Sequence, residues 1–239
     1  MTSSVDSLKV KIFADGADLP TMLEMSKKSF IKGLTTNPTL MRKAGISDYR
    51  RFAKEVLAVI QDKPISFEVF SDDFNEMIEQ ATQISSWGTN VNVKIPITNS
   101  QGVETTQVIR ELSNRGVFLN ITAILTTKQV ENVVEALEMN SEAFISVFAG
   151  RIADTGRDPM PLMQEALQIM KSKPKSELIW ASPRELLNVI QADSIGCDII
   201  TATSDILKKL DIIGKDLSQY SLETVRMFRD DAVASGYSI

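Results

Sequence analysis

Eight short apolar runs alternate with segments of helical character, and this alternation constrains the fold more than any other feature of the chain. The runs are LKVKIFAD (8–15), GLTT (33–36), ISFEVF (65–70), NVNVKIP (90–96), VFLNIT (117–122), AFISVFA (143–149), ELIWAS (177–182) and DIITAT (198–203). Between them lie helical patterns at 47–62, 73–88, 102–116 and 127–140. In the last of these, Val130, Val133, Val134 and Leu137 follow the i, i+3, i+4, i+7 spacing of one helix face. Asn114-Arg115-Gly116 and Gly88 read as helix stops. Strands alternating with helices predict a parallel sheet covered by helices, an α/β fold. Eight such units in 239 residues match a (β/α)8 barrel of the TIM type. A doubly wound open sheet is the structural alternative. No low-complexity or Pro/Gly/Ser linker divides the chain, so a single domain over 1–239 is expected. Its last segment, 221–239, reads as an extra helix. Ser221 with Thr224 makes a partial capping box, and Val225, Phe228, Ala232 and Val233 form an apolar stripe. That helix packs either on its own barrel or, as an arm, on a neighbouring subunit.

Composition excludes several functions. The net charge is −5 and there is no long basic run, which argues against nucleic-acid or acidic-membrane partners. No apolar run is long enough to span a bilayer. The opening MTSSVDSLKVKIF lacks the layout of a secretion signal, and Cys197 is the single cysteine, so a reducing cytoplasm is the expected location. There is no histidine. Histidine triads, histidine-ligated metals and imidazole acid–base chemistry are therefore excluded. Neither a metal nor a cofactor is expected.

Strand alternation then separates the two faces. In NVNVKIP, Val91, Val93 and Ile95 share the helix-facing side, which turns Asn92 and Lys94 into the barrel. In ISFEVF, Phe67 and Val69 point outward and Glu68 inward. In VFLNIT, Leu119 and Ile121 point outward while Asn120 and Thr122 point inward. Ser146 shares a face with Phe148, and Asp15 with Phe13 and Lys11. Polar residues thus converge near the C-terminal strand ends, where barrel active sites lie. A desolvated lysine amine can attack a carbonyl to form a Schiff base. Cleaving the neighbouring carbon–carbon bond needs a base, for which Asp15 is the candidate, with Glu68 and Thr122 able to hold a water. On residue chemistry alone, a buried ion pair of Lys94 with Glu68 or Asp15 is an equal reading. Arg151 and the stretch Ser182-Pro183-Arg184 follow strand ends, and arginine geometry there suits a phosphate.

With these residues assembled, the sequence resembles the transaldolase family, in particular the short bacterial branch that includes fructose-6-phosphate aldolases. The marks are FAD (13–15), LTTNPTL (34–40), FEVF (67–70), VKIPIT (93–98), LNITAI (119–124), SVFAGRIAD (146–154) and WASPRE (180–185). The resemblance implies a (β/α)8 barrel with Lys94 as Schiff-base nucleophile, Asp15 as acid/base, and Glu68 with Thr122 holding water. It implies Asn37, Asn120 and Ser146 on substrate hydroxyls, and Arg151, Ser182 and Arg184 on the sugar phosphate. It also implies a homo-oligomer, a pentamer or decamer, with the C-terminal helix on a neighbour. Glu68 and Phe148 resemble transaldolases, whereas the aldolase branch has glutamine and tyrosine at these places. The implied reaction is transfer of a dihydroxyacetone unit from fructose 6-phosphate or sedoheptulose 7-phosphate to an aldose phosphate. The alternatives are an aldolase that releases dihydroxyacetone and a non-catalytic barrel that binds sugar phosphates. Two departures stand out. FADGAD lacks the hydroxyl residue that commonly follows the aspartate, and Pro183 replaces a frequent aromatic and is expected to hold Ser182 extended.

Overall fold

A computed structural model describes residues 5–238; residues 1–4 and Ile239, which belong to the expected domain and arm, lie outside the described residues. Among the described residues eight strands form: β1 (Lys11–Asp15), β2 (Ile31–Thr35), β3 (Ile65–Glu68), β4 (Val91–Pro96), β5 (Leu119–Ile124), β6 (Ala143–Val147), β7 (Ser176–Trp180) and β8 (Ile199–Thr203). They are parallel and close in sequence order, with β1 bonded to both β2 and β8. Closure excludes the doubly wound alternative and leaves the sheet without an edge.

Seven of the strands carry β-branched residues on their outer side, where they meet the helices, and β7 presents Leu178 and Trp180 there instead. Val91, Val93, Ile95, Phe67, Leu119 and Ile121 all belong to the outer core, as the alternation predicts. Each such fully buried side chain stabilises the fold by about 1.5–3 kcal/mol. The amphipathic helices Tyr49–Val59, Phe74–Ser85, Thr106–Asn114 and Thr127–Ala136 supply the facing layer. Asp48, Asp73 and Thr126 cap three of them with side-chain oxygens.

The interior has two levels. Towards the N-terminal ends, Phe13, Phe144, Ile179 and Ile199 form a small apolar plug, with the Phe13 and Phe144 rings edge to face at 5.7 Å. Gly33 lies opposite Phe13 in register, and a Cβ there would come within 2.5 Å of that ring. The glycine makes room for the plug. Above it the interior turns polar.

Some boundaries differ from the sequence reading. The strand expected at 33–36 starts at Ile31, and the one expected at 65–70 stops at Glu68. There the Phe70 N–H donates to the Gln80 side chain instead of a neighbouring strand. The strand expected at 143–149 stops at Val147, because Phe148 precedes a short helix, Ala149–Asp154. The C-terminal helix is Leu217–Ala234 and starts before Ser221. Its cap is Asp216, whose carboxylate accepts from Gln219 N at 2.8 Å. Thr224 bonds back to the Tyr220 carbonyl as an interior helix residue does, so the Ser221 capping box does not form. Among its described residues none is buried.

Candidate functional site

The C-terminal ends of the strands open into a cavity of about 610 Å³. All of the residues singled out from the sequence line it: Lys94, Asp15, Glu68, Thr122, Asn37 and Asn120, then Ser146, Phe148, Arg151, Ser182 and Arg184. Register explains the convergence. Glu68 pairs with Lys94, and Lys94 with Asn120, so three adjacent strands place them side by side. Since side chains alternate strictly, all three face inward together.

Lys94 is buried, at 6% exposure. Its Nζ lies 3.1 Å from Glu68 Oε2 and donates to the Thr36 carbonyl at 2.9 Å. The ion pair weighed from the sequence is thus present with Glu68. It stands on a cavity wall, where a ligand can reach it, and not in a closed core.

Asp15 sits at the end of β1, half-buried on the cavity wall. Burial pushes its carboxyl above the ordinary aspartate range. The Lys94 charge and hydrogen bonds from Thr35 and Asn37 pull the other way, while Glu68 adds to the rise. Thr35 Oγ1 donates to Asp15 Oδ1 at 2.8 Å and is 2.5 Å from Thr201 Oγ1. Asp15 thus takes its hydroxyl partner from the neighbouring strand β2. Asn37 does two things. Its oxygen caps the helix Pro38–Lys43 by accepting from Leu40 N, and its nitrogen faces Asp15 Oδ2 at 3.5 Å.

Asn120 is tied at both ends. It donates to Ser66 Oγ at 3.0 Å and accepts from Ser146 Oγ at 2.7 Å. Thr122 is different: its buried Oγ1 has no hydrogen-bond partner among the described residues. A bulge follows it, where Ile121 pairs with Ile145 but Ile124 with Val147. Ala123 takes a φ of 62° there. For a residue with a Cβ that conformation costs about 1–2 kcal/mol, a strain that turns the strand end towards the cavity.

Cations gather at the rim. The Arg151 guanidinium lies over the Phe148 ring, 5.4 Å from its centre. Arg184 forms a two-pronged pair with Asp154, with Nε 3.0 Å from Oδ1 and a second bond from Nη2 to Oδ2. That guanidinium holds the Asp154 carboxyl below its usual range. Ser182 does not take the extended conformation expected before a proline. Its φ is 59°. The turn folds the Ser182 carbonyl over Gly150, whose missing Cβ leaves the space.

Sequence reasoning missed Thr35, Thr201, Ser66 and Asp154. Period-two alternation on GLTT and ITAT marks Thr35 and Thr201 as inward residues, and applied further it finds both. Nothing local marks Asp154 as the partner of Arg184.

The fold and cavity define a (β/α)8 barrel with a buried lysine, flanked by carboxylates, at the C-terminal strand ends. Residues 12–239 match the family model described as Transaldolase/Fructose-6-phosphate aldolase, and the chain belongs to that family. It is 35% identical over 202 residues to a probable transaldolase of Dehalococcoides mccartyi, covering 84% of this chain and 90% of that protein. It is similarly 35% identical over 204 residues to a probable transaldolase of Mesorhizobium japonicum, covering 84% and 88%. A probable transaldolase of Nitrosopumilus maritimus is 33% identical over 204 residues, covering 84% and 87%.

Proposed function

We propose that this chain is a transaldolase that carries a dihydroxyacetone unit on Lys94 from a ketose phosphate to an aldose phosphate. The observation that carries this is Lys94 Nζ on the cavity wall, 3.1 Å from Glu68, with Asp15 lining the same cavity. The neutral amine attacks the ketone of fructose 6-phosphate or sedoheptulose 7-phosphate, and Glu68 takes the ammonium proton that must leave first. Loss of water gives the imine. Glu68 and Thr122 hold that water in this scheme, a role supported by their both lining the cavity and by the Thr122 hydroxyl having no partner among the described residues. The protonated imine withdraws electrons from the bond between the third and fourth carbons. Asp15 removes the proton of the hydroxyl on the fourth carbon, that bond breaks, and an aldose phosphate departs. Asp15 is suited to this because its carboxyl is pushed upward and so holds a proton more readily than an ordinary aspartate. The three-carbon enamine left on Lys94 adds to an acceptor aldehyde, and water returns to release the product. Asn37, Asn120 and Ser146 face the sugar hydroxyls. Arg151, Ser182 and Arg184 receive the phosphate, Arg184 at the expense of its pair with Asp154.

Glu68 and Phe148 favour transfer over release of free dihydroxyacetone. We read the chain as one domain that works as a homo-oligomer in the cytoplasm, with the C-terminal helix as the subunit contact. Phe228 and Val225 on that helix are 63% and 60% exposed, an apolar face that water does not favour.

Borohydride reduction in the presence of fructose 6-phosphate tests the mechanism. A three-carbon adduct on Lys94 is the expected result, and its absence or its appearance on another residue refutes the scheme. Products measured with and without erythrose 4-phosphate test the transfer. Free dihydroxyacetone as the main product in both cases would replace transfer with aldol cleavage.

A further inference from the structure

Strand β3 ends on Glu68 in an unusual way. Its bonds to β2 stop with Thr36 N donating to the Ser66 carbonyl at 3.2 Å, because the chain then turns at Asn37 into the helix Pro38–Lys43. In a parallel strand one residue's N–H and C=O face the same neighbour. At Glu68 both groups face the side that β2 has vacated. One atom takes both. Tyr49 Oη accepts from Glu68 N at 2.7 Å and donates to the Glu68 carbonyl at 2.9 Å. On the opposite side β4 holds the strand, through Val69 N on the Lys94 carbonyl at 3.1 Å.

The tyrosine is held rigidly. It is the first residue of the helix Tyr49–Val59, whose cap, Asp48, accepts from Arg51 N at 2.9 Å. Its ring meets Phe70 edge on at 5.0 Å, Trp87 at 5.7 Å and Phe67 at 6.2 Å. Burial keeps the phenol neutral over the whole working range, so its donor and acceptor roles do not switch with pH. It does not line the cavity.

We propose that Tyr49 is a positioning residue: its hydroxyl stands in for the missing strand at Glu68 and so aims that carboxylate at Lys94 Nζ. This rests on the reading of Lys94 and Glu68 given above. Glu68 would otherwise hang from a strand end bonded on one side only, and proton relay is sensitive to displacements below 1 Å.

Tyr49→Phe keeps the ring and removes only the hydroxyl. The expected result is a kcat for transfer lower by about 10-fold, with KM for fructose 6-phosphate within about twofold, since the phenol is outside the cavity. The decisive comparison is a double-mutant cycle with Glu68→Gln. If Tyr49 acts through the carboxylate, adding Tyr49→Phe to Glu68→Gln lowers kcat by less than about twofold. Equal losses in both backgrounds overturn the assignment and make the tyrosine a general support. Amide exchange in the wild-type protein is a second measurement that needs no variant. The Glu68 amide is expected to be protected, and exchange at the rate of an unbonded amide overturns the proposal. Borohydride trapping separates this from the parent reading. An adduct on Lys94 with additive losses sinks the role of Tyr49 alone, whereas no adduct on Lys94 in the wild type sinks both.

Discussion

Replacing Gly150 by alanine tests how the rim is built. Gly150 lies in the helix Ala149–Asp154, where alanine normally gains about 0.5–1 kcal/mol over glycine. Here the added Cβ would stand 2.6 Å from Ser182 C, closer still to its carbonyl oxygen, and 3.4 Å from Arg184 Nε. Carbon atoms pack at about 3.5–4.0 Å, so backbone must move by roughly 1 Å or more. Overpacking of this kind costs about 1–3 kcal/mol, and a backbone obstacle with nowhere to rotate belongs at the upper end. The helix gain offsets part of that, leaving a net loss of about 2 kcal/mol. For a domain of this size the melting temperature falls by roughly 4–8 °C. The moving segment carries Ser182 and Arg184, so KM for fructose 6-phosphate is expected to rise about 10-fold or more. Trapping of unphosphorylated dihydroxyacetone on Lys94 should persist. Thermal melts and steady-state kinetics on one preparation suffice. A variant that melts within about 1 °C of wild type and keeps KM within about twofold refutes the packing argument.

Two further predictions use other parts of the molecule. The raised pKa of Asp15 means the folded protein holds that proton longer than the unfolded chain does. Its unfavourable contribution is absent below the ordinary aspartate range and grows as pH rises through the raised pKa. Asp15→Asn should therefore abolish turnover yet gain stability over wild type at pH 8 relative to pH 4.5; a gap in melting temperature that narrows towards pH 8 would reverse the sign. On the C-terminal helix, Val225→Asp with Phe228→Asp should convert an oligomer to monomers in sedimentation runs with the barrel's circular dichroism unchanged. An unaltered sedimentation coefficient would remove that helix from the interface.

Much of the site could be read from the sequence because a strand's period of two is a local property. Lys94 among Val91, Val93 and Ile95 declares its face without knowledge of any neighbour. The same rule, applied strand by strand, brought Asp15, Glu68, Asn120, Thr122 and Ser146 to one cavity, which they do line together. Two local inferences failed, one to a tertiary contact and one to a cap nearer the helix start. Ser182 leaves the extended region because its carbonyl packs over Gly150, a contact between β7 and β6 loops that overrides the preference before proline. The capping box at Ser221 is pre-empted by Asp216, which caps the helix one turn earlier.

The sequence by itself determined the order of strands and helices, the inward face of each strand and the absence of imidazole chemistry, because these depend on residue identity and short-range periodicity. Tertiary structure alone decided which partner each inward group meets. Closure set Thr201 beside Thr35 across β1, and the neighbouring segments after β6 and β7 brought Asp154 against Arg184. The early end of β2 left Glu68 to Tyr49. Such pairings join residues of different elements, and their geometry exists only once those elements have packed.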